Sequence, residues 1–221
     1  NQGGYPFKNA LELFSGDLNL VADYSKFYNF GEDSKYKTIG PILIDNVGFL
    51  GSLKKNDKKV LLSFGTSFKV NWLEAFLKTL PTDYQYVLTT CGEKIESPGS
   101  HIEQVDFVNF EKVCHDFQFA IIHGGQGTVY AMASQGLPFI GVPFFNEQFW
   151  NIKKFSEKNC CYLVKDASNI DIKQVIHDFE QNYSVMKKNI MKLSEEIKTE
   201  SETSLKNAEA EIEKFIRDKQ L

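Results

Sequence analysis

A histidine within a glycine-rich segment is the feature of this sequence that most directly indicates chemistry. Residues 123–128 read His-Gly-Gly-Gln-Gly-Thr, after the apolar run Phe119–Ile122 and before the helix-like residues 129–135. A strand that leads through glycines into a helix gathers free backbone N–H groups and the positive end of a helix dipole. Thr128 can cap the helix and donate its hydroxyl, and His123 adds a donor. The segment predicts an anion site that holds a phosphorylated ligand; a buried, hydrogen-bonded histidine without a ligand is the alternative.

A second segment with the same organisation lies earlier in the chain. The apolar run 60–64 leads into Gly65 and Thr66, and residues 72–80 have helical spacing. In a doubly wound sheet both turns lie at the carboxyl ends of their strands, where ligands bind. Ser63 and Thr66 are therefore candidates to face His123, although hydroxyl side chains also cap helices, and the P-loop pattern GxxxxGK[ST] is absent.

An acid–amide pair, Glu147 and Gln148, follows the apolar run 139–142. A carboxylate beside an amide offers acceptors and donors that can grip several sugar hydroxyls. The pair also suits the start of a helix with Asn146 as N-cap, and the two interpretations are compatible. Neighbouring aromatic side chains are predicted to pack in the core: Phe144, Phe145, Phe149 and Trp150.

The elements that would position these residues alternate between strands and helices. This order predicts an α/β fold, a Rossmann-like, doubly wound parallel sheet covered on both faces. The tail is polar and predicted to form a long C-terminal helix, with a disordered end as the alternative. Predicted strands are 60–64, 86–89, 102–108, 119–122, 139–142 and 161–164, and predicted regions are 1–52 (end of an earlier domain and linker), 53–170 (Rossmann-like) and 171–221 (helical).

Composition excludes several other classes of protein. The 221 residues carry a net charge of −4, which argues against a nucleic-acid partner. No apolar run reaches the roughly 18–20 residues of a membrane span. Without CxxC spacing, zinc is not expected, and no Asp-x-Asp pair is arranged to carry a divalent ion on phosphates, so no metal is predicted.

The chain begins at Asn1, which suggests a processed product or an excised piece. Four buried, free thiols and a reducing, cytoplasmic location are predicted: Cys91, Cys114, Cys160 and Cys161.

The segment HGGQGTVYAMASQGLPFIGVPFFNEQFWN, residues 123–151, resembles the donor-binding motif of the UDP-glycosyltransferase superfamily, which has the GT-B fold. LSFGTS, residues 62–67, is similar to the family's serine/threonine turn after the first strand of its C-terminal domain. The interval from His123 to Glu147 also fits the family. Residues 17–18 with 40–41 resemble the segment that leaves the N-terminal domain. The resemblance implies a donor-binding C-terminal half plus linker, with the acceptor-binding half outside this sequence.

The resemblance also implies roles for individual residues. Phe107 and Val108 would receive the nucleotide base, and Glu147 with Gln148 would bind the donor sugar. Ala131 stands where the family usually has a ribose-binding Glu, and residues 107–110 lack the Pro and Gln of the family's Trp-x-Pro-Gln stretch. The donor diphosphate would be held by Ser63, Thr66, His123, Gly125, Gly127 and Thr128.

The implied function is inverting transfer of a hexose from a UDP-sugar co-substrate to an acceptor hydroxyl on a small molecule or lipid. The acceptor base would be a histidine of the N-terminal acceptor domain, in the same chain or a partner subunit, so this chain alone would bind donor and transfer poorly. One alternative is a dinucleotide-binding oxidoreductase domain, because Gly125-x-Gly127 begins a GxGxxG-like turn and Glu147 lies about 20 residues further on; Tyr130 replaces the third glycine. The other is a non-catalytic nucleotide-sugar-binding subunit, which Ala131 favours.

Overall fold

Eight strands and six α-helices alternate along the parts of the chain that the computed structural model describes, residues 15–32, 34–43, 58–66, 68–96 and 99–219. The strands are β1 Asn19–Val21, β2 Tyr36–Thr38, β3 Lys59–Ser63, β4 Gln85–Thr89, β5 Ile102–Val105, β6 Phe119–Ile122, β7 Phe139–Gly141 and β8 Cys161–Leu163. The helices are α1 Val70–Leu77, α2 Phe110–Val113, α3 Gln126–Ser134, α4 Asn146–Ser156, α5 Ile172–Ser201 and α6 Ser204–Asp218.

The chain divides into two units. Residues 43–196 form the larger one, and residues 1–42 with 197–221 form the smaller. The predicted boundary at residue 52 lies outside the described residues. No helix in the described ranges is long and apolar enough to cross a membrane.

In the smaller unit, β1 and β2 pair in parallel. The segment after β2 is held by the start of α6, where the buried Ser204 hydroxyl donates to Pro41 O over 2.9 Å. Asn207 Nδ2 donates to Ile39 O over 3.1 Å. Gly40 has a φ of +96°, and a β-carbon there would lie 2.5 Å from Ser204 Oγ. The Gly40–Pro41 segment is therefore fixed by close contact with the two C-terminal helices.

The larger unit is built on one six-stranded sheet in the order β5-β4-β3-β6-β7-β8. Every neighbouring pair is parallel. The residues of β3, β6 and β7 are all buried, as expected for continuous apolar runs covered by helices on both faces. The predicted α/β, doubly wound parallel sheet is confirmed, and so is the long C-terminal helix.

The strand order reverses between β3 and β6. The chain moves outward from β3 through β4 to β5, then returns so that β6 lies on the other side of β3. Ser63 pairs with Ile122 at the carboxyl ends of these two strands. The turns that follow them therefore leave the sheet side by side, at the position where ligands bind in folds of this kind.

Two helical segments are interrupted. Helix α2 ends at Val113, and the chain continues as a 3-10 turn, Cys114–Asp116. The tail is helical through Asp218, so the disordered alternative is wrong for the described residues, but the helix breaks between Ser201 and Ser204.

All four cysteines are free, as predicted; Cys114, Cys160 and Cys161 are also buried, whereas Cys91 is only partly buried. Burial raises the pKa of the Cys114 thiol and of the Cys160 thiol to about 12 each. These thiols therefore remain protonated at neutral pH. They act as small apolar groups of the core rather than as nucleophiles.

Helix α4 packs against the sheet at unusually close range. Ile152 is fully buried, and a β-carbon placed at Gly141 of β7 would lie 2.5 Å from its Cγ2 atom. A β-carbon at Gly124 would lie 2.4 Å from Ile152 Cδ1. The absence of side chains at these two glycines is what allows α4 to approach the turn after β6.

We expect Gly141→Ala to destabilise the protein by about 1–3 kcal/mol, because the added methyl group overpacks a filled core. Gly127→Ala is the matched control, since a β-carbon there meets nothing within 4 Å. In a helix, alanine is favoured over glycine by up to about 1 kcal/mol. Guanidinium unfolding of both variants measures the difference. Equal stability of the two would contradict this packing argument.

Candidate functional site

The turns after β3 and β6 contact each other through His123. Its backbone N–H donates to Ser63 O over 3.2 Å, and its ring Nδ1 lies 3.3 Å from the same oxygen. A β-carbon at Gly65 would lie 2.9 Å from His123 Cε1. The two predicted turns thus face each other, with the imidazole between them.

The partner of Nδ1 determines the protonation pattern of the imidazole. A carbonyl oxygen only accepts hydrogen bonds, so Nδ1 must carry a hydrogen to bond Ser63 O. In the neutral ring Nε2 then has a lone pair and cannot donate; in the protonated ring Nε2 also carries a hydrogen. His123 can therefore donate from Nε2 to an anion only as the imidazolium ion.

Burial governs the pKa of His123. The side chain is only 7% exposed, and burial lowers its pKa below the ordinary value of 6.5. The hydrogen bond to Ser63 O and the negative charge of Glu147 raise the pKa by smaller amounts. The histidine is consequently neutral at pH 7, and a bound anion would provide the charge that favours its protonated form.

Glycines surround the imidazole on two sides. Gly65 has a φ of +62°, in the left-handed region that side chains rarely adopt. On the other side, a β-carbon at Gly125 would lie 2.6 Å from His123 Nε2. Larger residues at either position would collide with the ring, so these glycines keep Nε2 accessible from the turns.

The N-terminus of α3 adjoins this histidine. Val129 N donates to Gly125 O over 3.0 Å, so the amides of Gly127 and Thr128 come before the first helical hydrogen bond. The positive end of the helix dipole lies here as well. The expectation that Thr128 caps the helix is wrong, because the helix begins at Gln126 and Gly125 occupies the N-cap position without a side-chain bond.

The acid–amide pair lies in the first turn of α4. Glu147 is exposed, whereas Gln148 is 3% exposed and its Oε1 accepts from Phe144 N over 2.8 Å. The Gln148 side chain therefore fixes the backbone at Phe144, just before the helix begins. The prediction of Asn146 as N-cap is wrong, because Phe145 takes that position and no side chain caps the helix.

Asn151 links this helix to the turn after β6. Its Nδ2 donates to Gly124 O over 3.0 Å and also to Glu147 Oε1. Sequence reasoning did not single out Asn151, although its position four residues after Glu147 would have placed the two side chains on one helix face. The connection to Gly124 required the packing of α4 on the turn, which spacing alone does not reveal.

Exposed aromatic side chains lie near the carboxyl ends of the strands. Phe144 packs on Trp72 with ring centroids 4.6 Å apart, as a core residue should. Phe145 and Trp150 are 58% and 56% exposed, so the core prediction is wrong for both. Phe145 precedes α4 as its N-cap, and Trp150 lies on the outward side of the helix, whose inward side is occupied by residues such as Ile152.

The remaining predicted residues are spread along the same edge of the sheet. Ser63 is buried beside His123 and Thr66 is exposed after it, while Ser67 lies outside the described residues.

After β5, Phe107 is 53% exposed and Val108 is buried. Because β5 is the second neighbour of β3, its end lies about 10 Å from the turn after β3. Ala131 is partly exposed in α3. In the described ranges no three His, Cys, Asp or Glu residues form a group suited to a metal ion.

Comparison with known proteins agrees with this architecture. The sterol 3-beta-glucosyltransferase of Leptosphaeria maculans is 26% identical over 152 residues, which are 66% of this chain and 9% of that protein. The UDP-N-acetylglucosamine--N-acetylmuramyl-(pentapeptide) pyrophosphoryl-undecaprenol N-acetylglucosamine transferase of Helicobacter pylori (strain Shi470) is 26% identical over 95 residues, 40% of this chain and 27% of that protein.

Solved structures share the fold at low sequence identity. The spinosyn forosaminyltransferase SpnP superposes with a TM-score of 0.72 at 13% identity, covering 93% of this chain and 57% of that one. The glycotransferase of kitacinnamycin superposes with a TM-score of 0.67 at 20% identity, covering 88% and 54%. The chain therefore spans about half the length of these structures.

A family model identifies the chain. The model for UDP-glucoronosyl and UDP-glucosyl transferase matches residues 102–219, more than half of the sequence. The matched region includes His123, α3 and the acid–amide pair of α4. The chain belongs to the UDP-glucoronosyl and UDP-glucosyl transferase family.

Proposed function

We propose that this chain is the donor-binding half of a glycosyltransferase that takes a hexose from a UDP-sugar and transfers it, with inversion, to an acceptor hydroxyl. The observation that carries the proposal is the meeting of two turns at the β3–β6 junction, with His123 between two glycines and the N-terminus of α3 beside it. Such a group of donors suits a diphosphate.

In the proposed reaction, an acceptor oxygen attacks the anomeric carbon from the face opposite the diphosphate. The bond between that carbon and the diphosphate oxygen breaks, UDP leaves with the electron pair, and the acceptor proton passes to a base. Negative charge therefore grows on the diphosphate in the transition state. Fixed amides and the imidazolium of His123 would stabilise that charge, since they are in place before it develops.

Other parts of the donor have candidate contacts along the same edge. The exposed ring of Phe107 would stack on the base, about 10 Å from the turn after β3 by strand spacing. Glu147 would accept hydrogen bonds from sugar hydroxyls. Gln148 would contribute its amide nitrogen, since its oxygen already accepts from Phe144 N. Ser63 and Thr66 would contribute from the facing turn.

We also propose that the acceptor, a small molecule or a lipid, binds mainly to a second domain that supplies the base. Support comes from the chain's span of about half of the structures it resembles. The chain as given would then bind donor and transfer sugar slowly.

Membership of the UDP-glucoronosyl and UDP-glucosyl transferase family favours a transferase over a dinucleotide-binding oxidoreductase. In addition, Tyr130 occupies the third glycine's position of the dinucleotide motif and is buried, with its ring centroid 5.6 Å from that of Phe155. A non-catalytic subunit that binds the same donor is the second candidate, favoured by Ala131 in place of a ribose-binding acid. The transferase and the non-catalytic subunit differ in whether sugar transfer is detected once an acceptor domain is present.

We expect His123→Ala to weaken UDP-glucose binding by about 1.5–3 kcal/mol, the range for hydrogen bonds to charged groups. His115→Ala is the control, because the His115 side chain is largely exposed in the turn before β6. Isothermal titration measures both affinities, and thermal shifts with NAD provide a further comparison. Undiminished donor binding by His123→Ala, or greater stabilisation by NAD than by UDP-glucose, would reject the proposed site.

Donor binding should weaken as pH rises. The free protein holds His123 neutral with a lowered pKa, and donation from Nε2 requires a proton, so binding takes up a proton. Affinity for UDP-glucose should fall by up to about tenfold per pH unit above the pKa of the free protein, until the pKa of the complex is passed. Titrations between about pH 6 and pH 8 at constant ionic strength test this, because the donor itself does not titrate there.

His123→Gln separates this effect from other titrations. The glutamine amide donates a hydrogen bond without titrating, so its donor affinity should be nearly flat across the same pH range. An equal slope in both proteins would assign the pH dependence to another group.

Glu147→Gln should weaken UDP-glucose binding about 5- to 20-fold, since an acceptor to the sugar becomes a neutral amide. UDP binding should change much less, because loss of the Glu147 charge relieves repulsion of the diphosphate but also lowers the pKa of His123. Glu157→Gln, at the exposed C-terminal end of α4, is the control. Equal losses for UDP and UDP-glucose would contradict a role of Glu147 toward the sugar.

A further inference from the structure

We propose that Asn151 is a positioning residue that orients the Gly124–Gly125 peptide, and thereby directs the Gly125 amide toward the donor diphosphate. This inference rests on the proposed function and adds to it a residue to which neither the sequence analysis nor the resemblance assigned a role. It is carried by the hydrogen bonds of the Asn151 side chain and by the geometry of two consecutive glycines.

The side-chain nitrogen of Asn151 donates two hydrogen bonds. Nδ2 donates to Gly124 O over 3.0 Å and to Glu147 Oε1. A side-chain amide has two hydrogens on that nitrogen, so both bonds can form at once. Asn151 is partly buried on the face of α4 that meets the turn after β6.

The bond to Gly124 O fixes where the next amide points. The peptide between Gly124 and Gly125 is trans and planar, so its C=O and N–H point in opposite directions. Because Asn151 draws the carbonyl oxygen toward α4, the Gly125 N–H points away from α4. Within the described part of the chain this N–H has no hydrogen-bond partner, and Gly125 lies directly beside His123 Nε2.

Without such a restraint this peptide would be free to rotate. Glycine accepts positive and negative φ about equally, and Gly124 already has a φ of +95°. Packing restrains only the α-carbon of Gly124, where an added β-carbon would lie 2.4 Å from Ile152 Cδ1 and 2.8 Å from Gln148 O. Rotation of the peptide plane would turn a carbonyl oxygen, instead of an N–H, toward an anion.

The same nitrogen also restrains the sugar-binding carboxylate. Glu147 is otherwise an exposed side chain in the first turn of α4, with several rotamers available to it. Because the same Asn151 nitrogen also bonds Gly124 O, its bond to Glu147 keeps the carboxylate close to the turn after β6. One side chain therefore sets the positions of both the diphosphate amide and the carboxylate proposed to bind the sugar.

The test compares Asn151→Asp and Asn151→Ala with the unaltered 221-residue chain. Aspartate keeps the volume of asparagine but has no hydrogen to donate and would repel both Gly124 O and Glu147. Asn182→Ala is the matched control, because Asn182 Nδ2 also donates to a backbone carbonyl, Asp178 O, over 3.0 Å, on another helix. Inorganic pyrophosphate and UDP-glucose are the probes, titrated calorimetrically, and melting temperatures are recorded without ligand.

We expect both Asn151 variants to bind pyrophosphate about tenfold more weakly than the unaltered chain, and UDP-glucose more weakly still, because the carboxylate is also released. Asn182→Ala should keep its affinities within about twofold. A purely structural role would lower the melting temperatures of both Asn151 variants and leave pyrophosphate affinity of the folded protein unchanged.

The outcomes separate this inference from the proposed function. Unchanged pyrophosphate affinity in Asn151→Asp overturns the inference alone, while donor binding by the unaltered chain still supports the proposed function. Failure of the unaltered chain to bind either probe overturns both. If Asn151→Ala does not fold, Asn151→Leu replaces it as the uncharged variant of similar shape, since the added charge of Asn151→Asp would by itself weaken pyrophosphate binding.

Discussion

The candidate site depends on the parallel pairing of β3 with β6. These strands are distant in sequence, and the reversal of strand order at their junction brings their two turns together. The contact is consolidated at one atom, Ser63 O, which accepts from both the backbone and the ring of His123. A shift in that register would separate the imidazole from Gly65 and from the turn after β3. The placement of the two turns that carry the proposed phosphate-binding groups therefore follows from a backbone pairing inside the buried sheet.

The features that sequence reasoning predicted are those determined by local composition and chain order. Buried strands such as β6 are short apolar runs, and their alternation with helices allows few arrangements besides a parallel, doubly wound sheet. Once that sheet is assumed, the turns after Ser63 and Ile122 must leave the same edge. The prediction that the turn containing Ser63 and Thr66 faces His123 could thus be made without side-chain detail.

The features that were missed depend on where a helix begins and on which direction it faces. The start of α4 at Asn146 removes Asn146 from the cap position, and the packing of α4 on the sheet buries Gln148 while Phe145 and Trp150 stay exposed. Likewise α3 starts at Gln126, which places Thr128 inside the first turn. Neither helix has a side-chain cap, so the usual capping signals pointed to the wrong residues. Asn151 was missed for a related reason, because its partner Gly124 O belongs to another element.

An acid at an anion site requires a physical explanation, since Glu147 would repel a diphosphate. Its effect on His123 provides one. The Glu147 carboxylate raises the pKa of His123, so it favours the imidazolium form in which Nε2 can donate. Burial acts in the opposite direction and keeps the ring neutral until an anion arrives. Asn151 meanwhile holds Glu147 at the first turn of α4 by donating to its Oε1. The carboxylate is thus positioned where it can accept from a sugar while its field supports the one titratable donor proposed to contact the phosphates.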